Sequence, residues 1–279
     1  MKTKEQRQPK MRTCKLLVSV FLLCILTLGF RIPSEAATPG VMKLSRNRTY
    51  TGYDLDSNGK KERLLYNGRA VYVNGKRVYT LNGYDTDCRL ITLKNGRRFL
   101  YVFAGEDGSP YSSYKILRYR GGKISVVADL SGLMKNYHNS SVIMWSGRNR
   151  GIWVSGNTVR VFISEMNWTV GSKVFVLEYT YQGGTLKRKG YSGSLVGSTY
   201  QYLYTSKKIT TYKGPGSRTK AFTLKSGAKV TVTGYYLKNN VLYLKLKNTQ
   251  GKSGWIKALT RKQSGPGRSP LFRNAYYAG

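Results

Sequence analysis

The stretch Tyr202–Ala258, YLYTSKKITTYKGPGSRTKAFTLKSGAKVTVTGYYLKNNVLYLKLKNTQGKSGWIKA, carries the pattern that decides the fold. Within Val241-Leu242-Tyr243-Leu244-Lys245-Leu246-Lys247 the leucines fall on one face of an extended chain, with Tyr243 and the lysines on the other. Lys229-Val230-Thr231-Val232-Thr233 alternates in the same way, and Leu237-Lys238-Asn239-Asn240 supplies a polar reversal between these two strands. Gly251 and Gly254 bracket a further tight reversal, after which Trp255 and Ile256 are expected to re-enter the core. A buried Trp would supply a large share of the apolar burial of so small a unit. The reading is a compact β-module over residues 202–258.

Charge is distributed unevenly along the 279 residues. The formal net charge is +36, and from Tyr179 to the C-terminus the sequence contains no Asp or Glu. A folded segment with basic side chains and no acidic ones points to a polyanionic surface as its working environment. Arg-rich helices, zinc-finger spacings and RNA-binding strand motifs are missing, so nucleic acid is not the expected partner.

The Gly251-x-x-Gly254-Trp255-Ile256 ending resembles that of the bacterial SH3-like family, over about a fifth of the chain. The resemblance implies a small β-barrel that recognises cell-wall peptide or glycan without catalysing a reaction. Tyr202, Tyr204, Tyr212, Tyr235, Tyr236 and Tyr243 are available to form a stacking groove for a wall polymer, and Tyr204, Tyr212, Tyr235, Tyr243 and Trp255 are the candidate ligand-binding side chains. The alternative is that the tyrosines are the ordinary half-buried surface of a β-structure, which favours them in any case.

The start of the chain sets its compartment. Met1 to Lys15 are basic and polar, Leu16 to Phe30 almost wholly apolar, and Ser34-Glu35-Ala36 offers small residues for cleavage. Residues 1–36 therefore read as a secretory signal peptide, and the apolar run is short for a membrane span. No lipidation or Leu-Pro-x-Thr-Gly sorting motif is found, so non-covalent attachment at the cell surface is expected, with no integral membrane contact after cleavage. Cys14 and Cys24 would leave with the signal peptide, leaving Cys88 and no intrachain disulfide. An exported protein without disulfides fits a Gram-positive bacterium better than a eukaryotic secretory pathway.

Residues 41–189 also read as all-β. Val73-Asn74-Gly75-Lys76 is a two-residue hairpin signal, and Lys94-Asn95-Gly96-Arg97 repeats the device. An internal repeat follows. Phe99-Leu100-Tyr101-Val102-Phe103 leads to Tyr119-Arg120-Gly121-Gly122-Lys123-Ile124, and Val159-Arg160-Val161-Phe162-Ile163 leads to Tyr181-Gln182-Gly183-Gly184-Thr185-Leu186. Such units cannot bury a face alone and must stack, as a partial propeller-like array or a β-sandwich. Residues 190–201 read as a Gly/Ser-rich linker and 259–279 as a flexible basic tail.

Ahead of the repeat lies Asp54-Leu55-Asp56-Ser57-Asn58-Gly59-Lys60-Lys61-Glu62. Alternating oxygen side chains, a turn Gly and a closing carboxylate are what a structural Ca²⁺ loop needs. Leu65 stands where an EF-hand would require Glu, which excludes that motif and argues against a dockerin. The shorter loop resembles those of FG-GAP and VCBS-type β-propeller repeats. By that resemblance Asp54, Asp56, Asn58 and Glu62 would ligate Ca²⁺ by side chain and Lys60 by its carbonyl. The same residues also make an Asx-rich polar turn.

No catalytic set is recognisable. Cys88 and His138 are the only Cys and His left after residue 36, and they match no nucleophile motif. A glycosidase pair could be drawn from Asp85, Asp87, Glu106, Asp107, Asp129, Glu165 and Glu178, but nothing in their spacing selects two. The expectation is a secreted, non-catalytic wall- or surface-binding protein. A wall hydrolase with an unrecognised carboxylate pair is one alternative. The other is an adhesin, its N-terminal domain engaging a protein partner and the C-terminal module acting as tether.

Overall fold

A computed structural model describes residues 38–105, 113–131, 133, 137, 143–144, 151–167, 169–196, 202–264 and 269–275. The signal-peptide reading, Glu106, Asp107 and His138 lie outside the described residues. The protein is all-β and its sheets are antiparallel. The strands are β1 (Gly40–Lys43), β2 (Arg48–Tyr53), β3 (Glu62–Tyr66), β4 (Ala70–Val73), β5 (Lys76–Thr80), β6 (Asp85–Thr92), β7 (Arg98–Gly105), β8 (Ser113–Arg120) and β9 (Lys123–Asp129). There follow β10 (Ile143–Met144), β11 (Ile152–Ser155), β12 (Thr158–Asn167), β13 (Gly171–Gln182), β14 (Thr185–Arg188), β15 (Ser192–Gly193) and β16 (Leu195–Val196). The C-terminal part contributes β17 (Leu203–Thr205), β18 (Ile209–Tyr212), β19 (Lys220–Leu224), β20 (Lys229–Lys238), β21 (Val241–Asn248), β22 (Ser253–Lys257), a one-turn helix α1 (Arg261–Ser264) and β23 (Phe272–Arg273). Among the described residues no helix is long and apolar enough to cross a membrane.

The first sheet is the meander β2-β3-β4-β5, and the second runs β1-β6-β7-β8-β9. The third follows β10-β12-β13-β14, with β11 and β16 on its flanks. Asn74 and Gly75 close the β4–β5 hairpin with φ of 51° and 79°, the two left-handed residues that its Asn-Gly step predicts. The repeat is real in three dimensions. Strands β7-β8-β9 and β12-β13-β14 share one connectivity, and their hairpins close on Gly121-Gly122 (φ 54° and 82°) and Gly183-Gly184 (57° and 82°).

Stacking follows from burial. Strands β6 and β7 are buried on both faces through most of their length. One face, with Cys88, Leu90, Leu100 and Val102, packs against Leu64, Tyr66, Val71 and Val73 of the first sheet. The other, with Ile91, Phe99, Tyr101 and Phe103, joins Val159, Val161 and Leu177 of the third. Strand β13 alternates, burying Phe175, Leu177 and Tyr179 from one face only. The second sheet is thus the filling between two others, which explains why Phe99-Leu100-Tyr101-Val102-Phe103 of β7 is a continuous apolar run.

Three expected boundaries differ. The core that joins the second and third sheets continues without a break into Leu203, Tyr235, Leu242, Leu244, Leu246 and Ile256 of the C-terminal module. The 41–189 and 202–258 regions therefore share one hydrophobic core. The 190–201 linker is in part paired backbone: β15 adds to β20 and β16 to β13, with Gly193 so close to Tyr235 that a Cβ would lie 2.6 Å from its ring. Gly193 there serves close approach. The 259–279 tail is anchored too, because Phe272 is buried and β23 pairs with β17. Ser269 Oγ also donates to the Thr169 carbonyl at 2.7 Å.

The C-terminal strands follow the path β19-β18-β22-β21-β20-β17-β23, with β15 beside β20. Among the described residues this path does not close by hydrogen bonds into the small barrel that the sequence led us to expect.

Candidate functional site

Alternation builds the outer face of the C-terminal sheet. In β21, Leu242, Leu244 and Leu246 point into the core, leaving Tyr243, Lys245 and Lys247 outside. In β22, Gly254 and Ile256 are buried and Trp255 lies on the outer side. This corrects the expectation that Trp255 enters the core with Ile256, since neighbours on a strand face opposite ways. Gly254 has a different reason for its small size: a Cβ there would meet Thr211 Oγ1 of β18 at 2.5 Å.

Register places the outer side chains in rows. Trp255 stands opposite Lys245 on one side and Tyr212 on the other. Tyr243 stands opposite Tyr236 and Lys257. The two rows are one pleat apart on the same face, so Tyr212, Trp255, Tyr243 and Tyr236 are interleaved with Lys245 and Lys257. Tyr236 and Tyr243 meet edge to face at 6.2 Å between centroids, and Tyr191 joins Tyr236 at 5.9 Å. The Gly216 turn approaches this group, with the Tyr243 hydroxyl 3.5 Å from where a Cβ would sit.

Two of the expected ligand-binding residues are placed elsewhere. Tyr235 is 1 % exposed. Its hydroxyl donates to the Val176 carbonyl and its ring meets Phe175 edge to face at 5.1 Å. Burial pushes its phenol up to about 12. A register shift between Val232 and Gly234 helps explain this: a bulge changes which residues face the core, so Tyr235 points in and Tyr236 out. Tyr204 is exposed on β17 opposite Lys229 and Arg273, separated from the Trp255 strand by β20 and β21. Sequence reasoning omitted Tyr191, and Tyr236 could have been separated from Tyr235 only by knowing of the bulge.

The Asp54 loop is a second cluster. One carboxylate oxygen from each of Asp54, Asp56 and Glu62 lies within 4.8 Å of the others. Backbone N–H groups shape the loop. Asn58 donates to Asp54 at 3.0 Å and to Asp56 at 3.2 Å, Gly59 to Asp54 at 2.9 Å, and Lys60 to the Asn58 side-chain oxygen at 2.7 Å. Ser57 and Gly59 turn it, with φ of 62° and 86°. Glu62 is buried and accepts from the Leu55 N–H at 2.7 Å. Burial raises its pKa above the usual Glu range, opposed by that hydrogen bond and reinforced by Asp56 and Asp54. The loop is tied to the second sheet: Arg98 Nη1 donates to the Asp54 carbonyl at 3.0 Å, and the Gly121 N–H to Asp56 at 3.2 Å.

Three further acids have basic partners. Asp87 pairs with Arg89 at 2.7 Å in a buried position, Asp129 with Lys115 at 3.8 Å, and Glu178 with Arg160 and Lys189 at 2.9 and 3.4 Å. Cys88 is buried, and burial pushes its thiol up, away from the thiolate a nucleophile needs. A surface cavity of about 360 Å³ between β1, Tyr53 and Arg98 has no carboxylate, Cys or His in its lining. No family model, curated protein or solved structure matches the chain.

Proposed function

We propose that the protein is an exported, non-catalytic component of a Gram-positive cell envelope, bound to anionic wall polymer or peptidoglycan through the outer face of its SH3-like C-terminal module. One observation carries the reading: that face interleaves Tyr212, Trp255, Tyr236 and Tyr243 with Lys245 and Lys257 in a segment without a single carboxylate side chain. An exposed cationic sheet attracts a polyanion without needing a cleft, and its binding weakens with salt. The pairing of Asp87, Asp129 and Glu178 with basic side chains favours binding over a carboxylate-catalysed hydrolysis. A zymogram on purified wall is expected to show no lysis band, and a clear band would overturn the non-catalytic reading.

Structural Ca²⁺ belongs to the same proposal. The three clustered carboxylates of the Asp54 loop, with the Asn58 amide oxygen and the Lys60 carbonyl, fit the oxygen set that a hard cation takes. Such an ion would offset repulsion among Asp54, Asp56 and Glu62 and hold the loop against the second sheet. Added Ca²⁺ is expected to raise the melting temperature and EDTA to lower it; a melting temperature indifferent to both would leave a plain Asx turn.

A further inference from the structure

Three rings of the C-terminal region, Tyr191, Tyr202 and Trp255, already hold cations. Lys229 Nζ lies 3.5 Å from the Tyr202 ring centroid. Lys238 Nζ and the Arg188 guanidinium lie 4.9 and 5.7 Å from that of Tyr191, and Lys245 Nζ 6.0 Å from the Trp255 ring. Each distance is within the range where a cation is drawn to the negative face of an aromatic ring. Tyr191 and Tyr202 are 43 % and 48 % exposed, so these contacts are at the surface where a polymer would lie. Tyr236 and Tyr243 engage each other edge to face, which leaves no slot between parallel rings.

We infer, resting on the polyanion reading above, that these aromatic side chains act as holders for lysine and arginine heads, so that the module selects a polymer by its closely spaced anionic groups and not by sugar or base rings. A long side chain loses rotamer freedom when it is fixed on a ligand. A cation already resting on a ring has part of that freedom removed before binding. With no carboxylate after Glu178, a ring is the partner this segment offers its cations in place of an ion pair. A ring holds the charge without neutralising it. The cation stays available to a phosphodiester or carboxylate, whereas an ion-paired lysine must first give up its partner. A sugar or base stacking on Tyr191 or Tyr202 would instead have to displace an ammonium or guanidinium group.

The purified full chain tests this with three probes matched in phosphate number at one salt concentration: inorganic polyphosphate, a sugar-bearing teichoic acid and single-stranded DNA. The ring-free polyphosphate is expected to bind within about threefold of the other two. Tyr191→Leu and Trp255→Leu, which leave the net charge unchanged, should each weaken polyphosphate binding by about two- to fivefold, and Tyr191→Phe should restore it. Circular dichroism and melting confirm that the variants are folded. Teichoic acid or DNA binding more than tenfold tighter than polyphosphate would overturn the inference in favour of ring stacking, as would leucine variants that leave polyphosphate binding unchanged. If no probe binds at low salt, the polyanion reading itself falls.

Discussion

The first three sheets and the C-terminal module solve the same electrostatic problem differently. In the sheets, cations meet carboxylates as well as rings: Arg89 with Asp87, Lys115 with Asp129, Arg160 and Lys189 with Glu178, and Arg48 and Arg98 over Tyr50 and Tyr53. In the module, where acids are missing, Lys229, Lys238 and Lys245 lie over Tyr202, Tyr191 and Trp255. An ion pair neutralises charge and a ring contact displays it, and Lys229, Lys238 and Lys245 make contacts of the second kind. The same distinction separates a scaffold, in which exposed ion pairs such as Lys115–Asp129 carry small energetic weight, from a face that we propose is kept ready for an anionic partner. The carboxylates that do cluster, Asp54, Asp56 and Glu62, form the reverse case: negative charge gathered in one loop, which we propose to hold a cation.

The two regions contrast in charge but share a core, and the largest expected effect tests that sharing. Tyr235 belongs by sequence to the module, yet it bonds the Val176 carbonyl and packs on Phe175 of the third sheet. Tyr235→Ala should cost about 3–5 kcal/mol, as removal of a large buried ring does. Unfolding in urea should remain one transition reported alike by probes in both regions. Two separate transitions, with only one moved by the substitution, would show that the regions are independent. Because the core is shared, truncation after Lys189 would expose the Phe175 face and is a poor test of the adhesin alternative; surface substitutions are the cleaner tool.

Next in size is charge reversal on the displayed face. Lys245→Glu places the segment's first carboxylate beside Trp255 and should lower polyanion retention by about tenfold at low salt, with less effect at high salt. Stability should change by no more than about 0.5 kcal/mol, as is usual for a surface site. The same reversal at Lys115, whose partner is Asp129 in the second sheet, should leave retention almost unchanged. Equal losses at both positions would erase the contrast between the regions.

The smallest effect concerns Glu62. A carboxyl whose pKa is higher folded than unfolded binds its proton more tightly in the native state. Without metal its contribution to stability therefore declines as pH rises from the ordinary Glu value through the raised folded one, and is constant above. In EDTA, acidification through that window should raise the melting temperature of the wild type relative to Glu62→Gln. A difference between the two proteins with the opposite pH trend would contradict the burial-driven shift.

Much of this was legible locally. The Leu242/Leu244/Leu246 alternation, the Asn74-Gly75 turn and the paired Gly-Gly hairpins each state their structure within a few residues. The Asp54 loop's oxygen spacing announced its cluster as well. What escaped reading depends on distant chain. Tyr235 and Tyr236 are chemically identical neighbours, and only a bulge and the arrival of Phe175 decide which is core. Gly193 looks like linker composition, yet it is the space that Tyr235 requires. Trp255 was expected inside on hydrophobicity alone, although its strand partner Lys245 already marked that row as outward.

The central claim is that the acid-free module attaches the protein to an anionic envelope polymer. Co-sedimentation with purified Gram-positive wall sacculi, before and after chemical removal of teichoic acid and across a salt series, tests it most directly. The account predicts retention at low salt that falls steeply as salt rises and drops on removal of the polymer. Failure to sediment at low salt, or retention indifferent to both salt and teichoic acid, would contradict it.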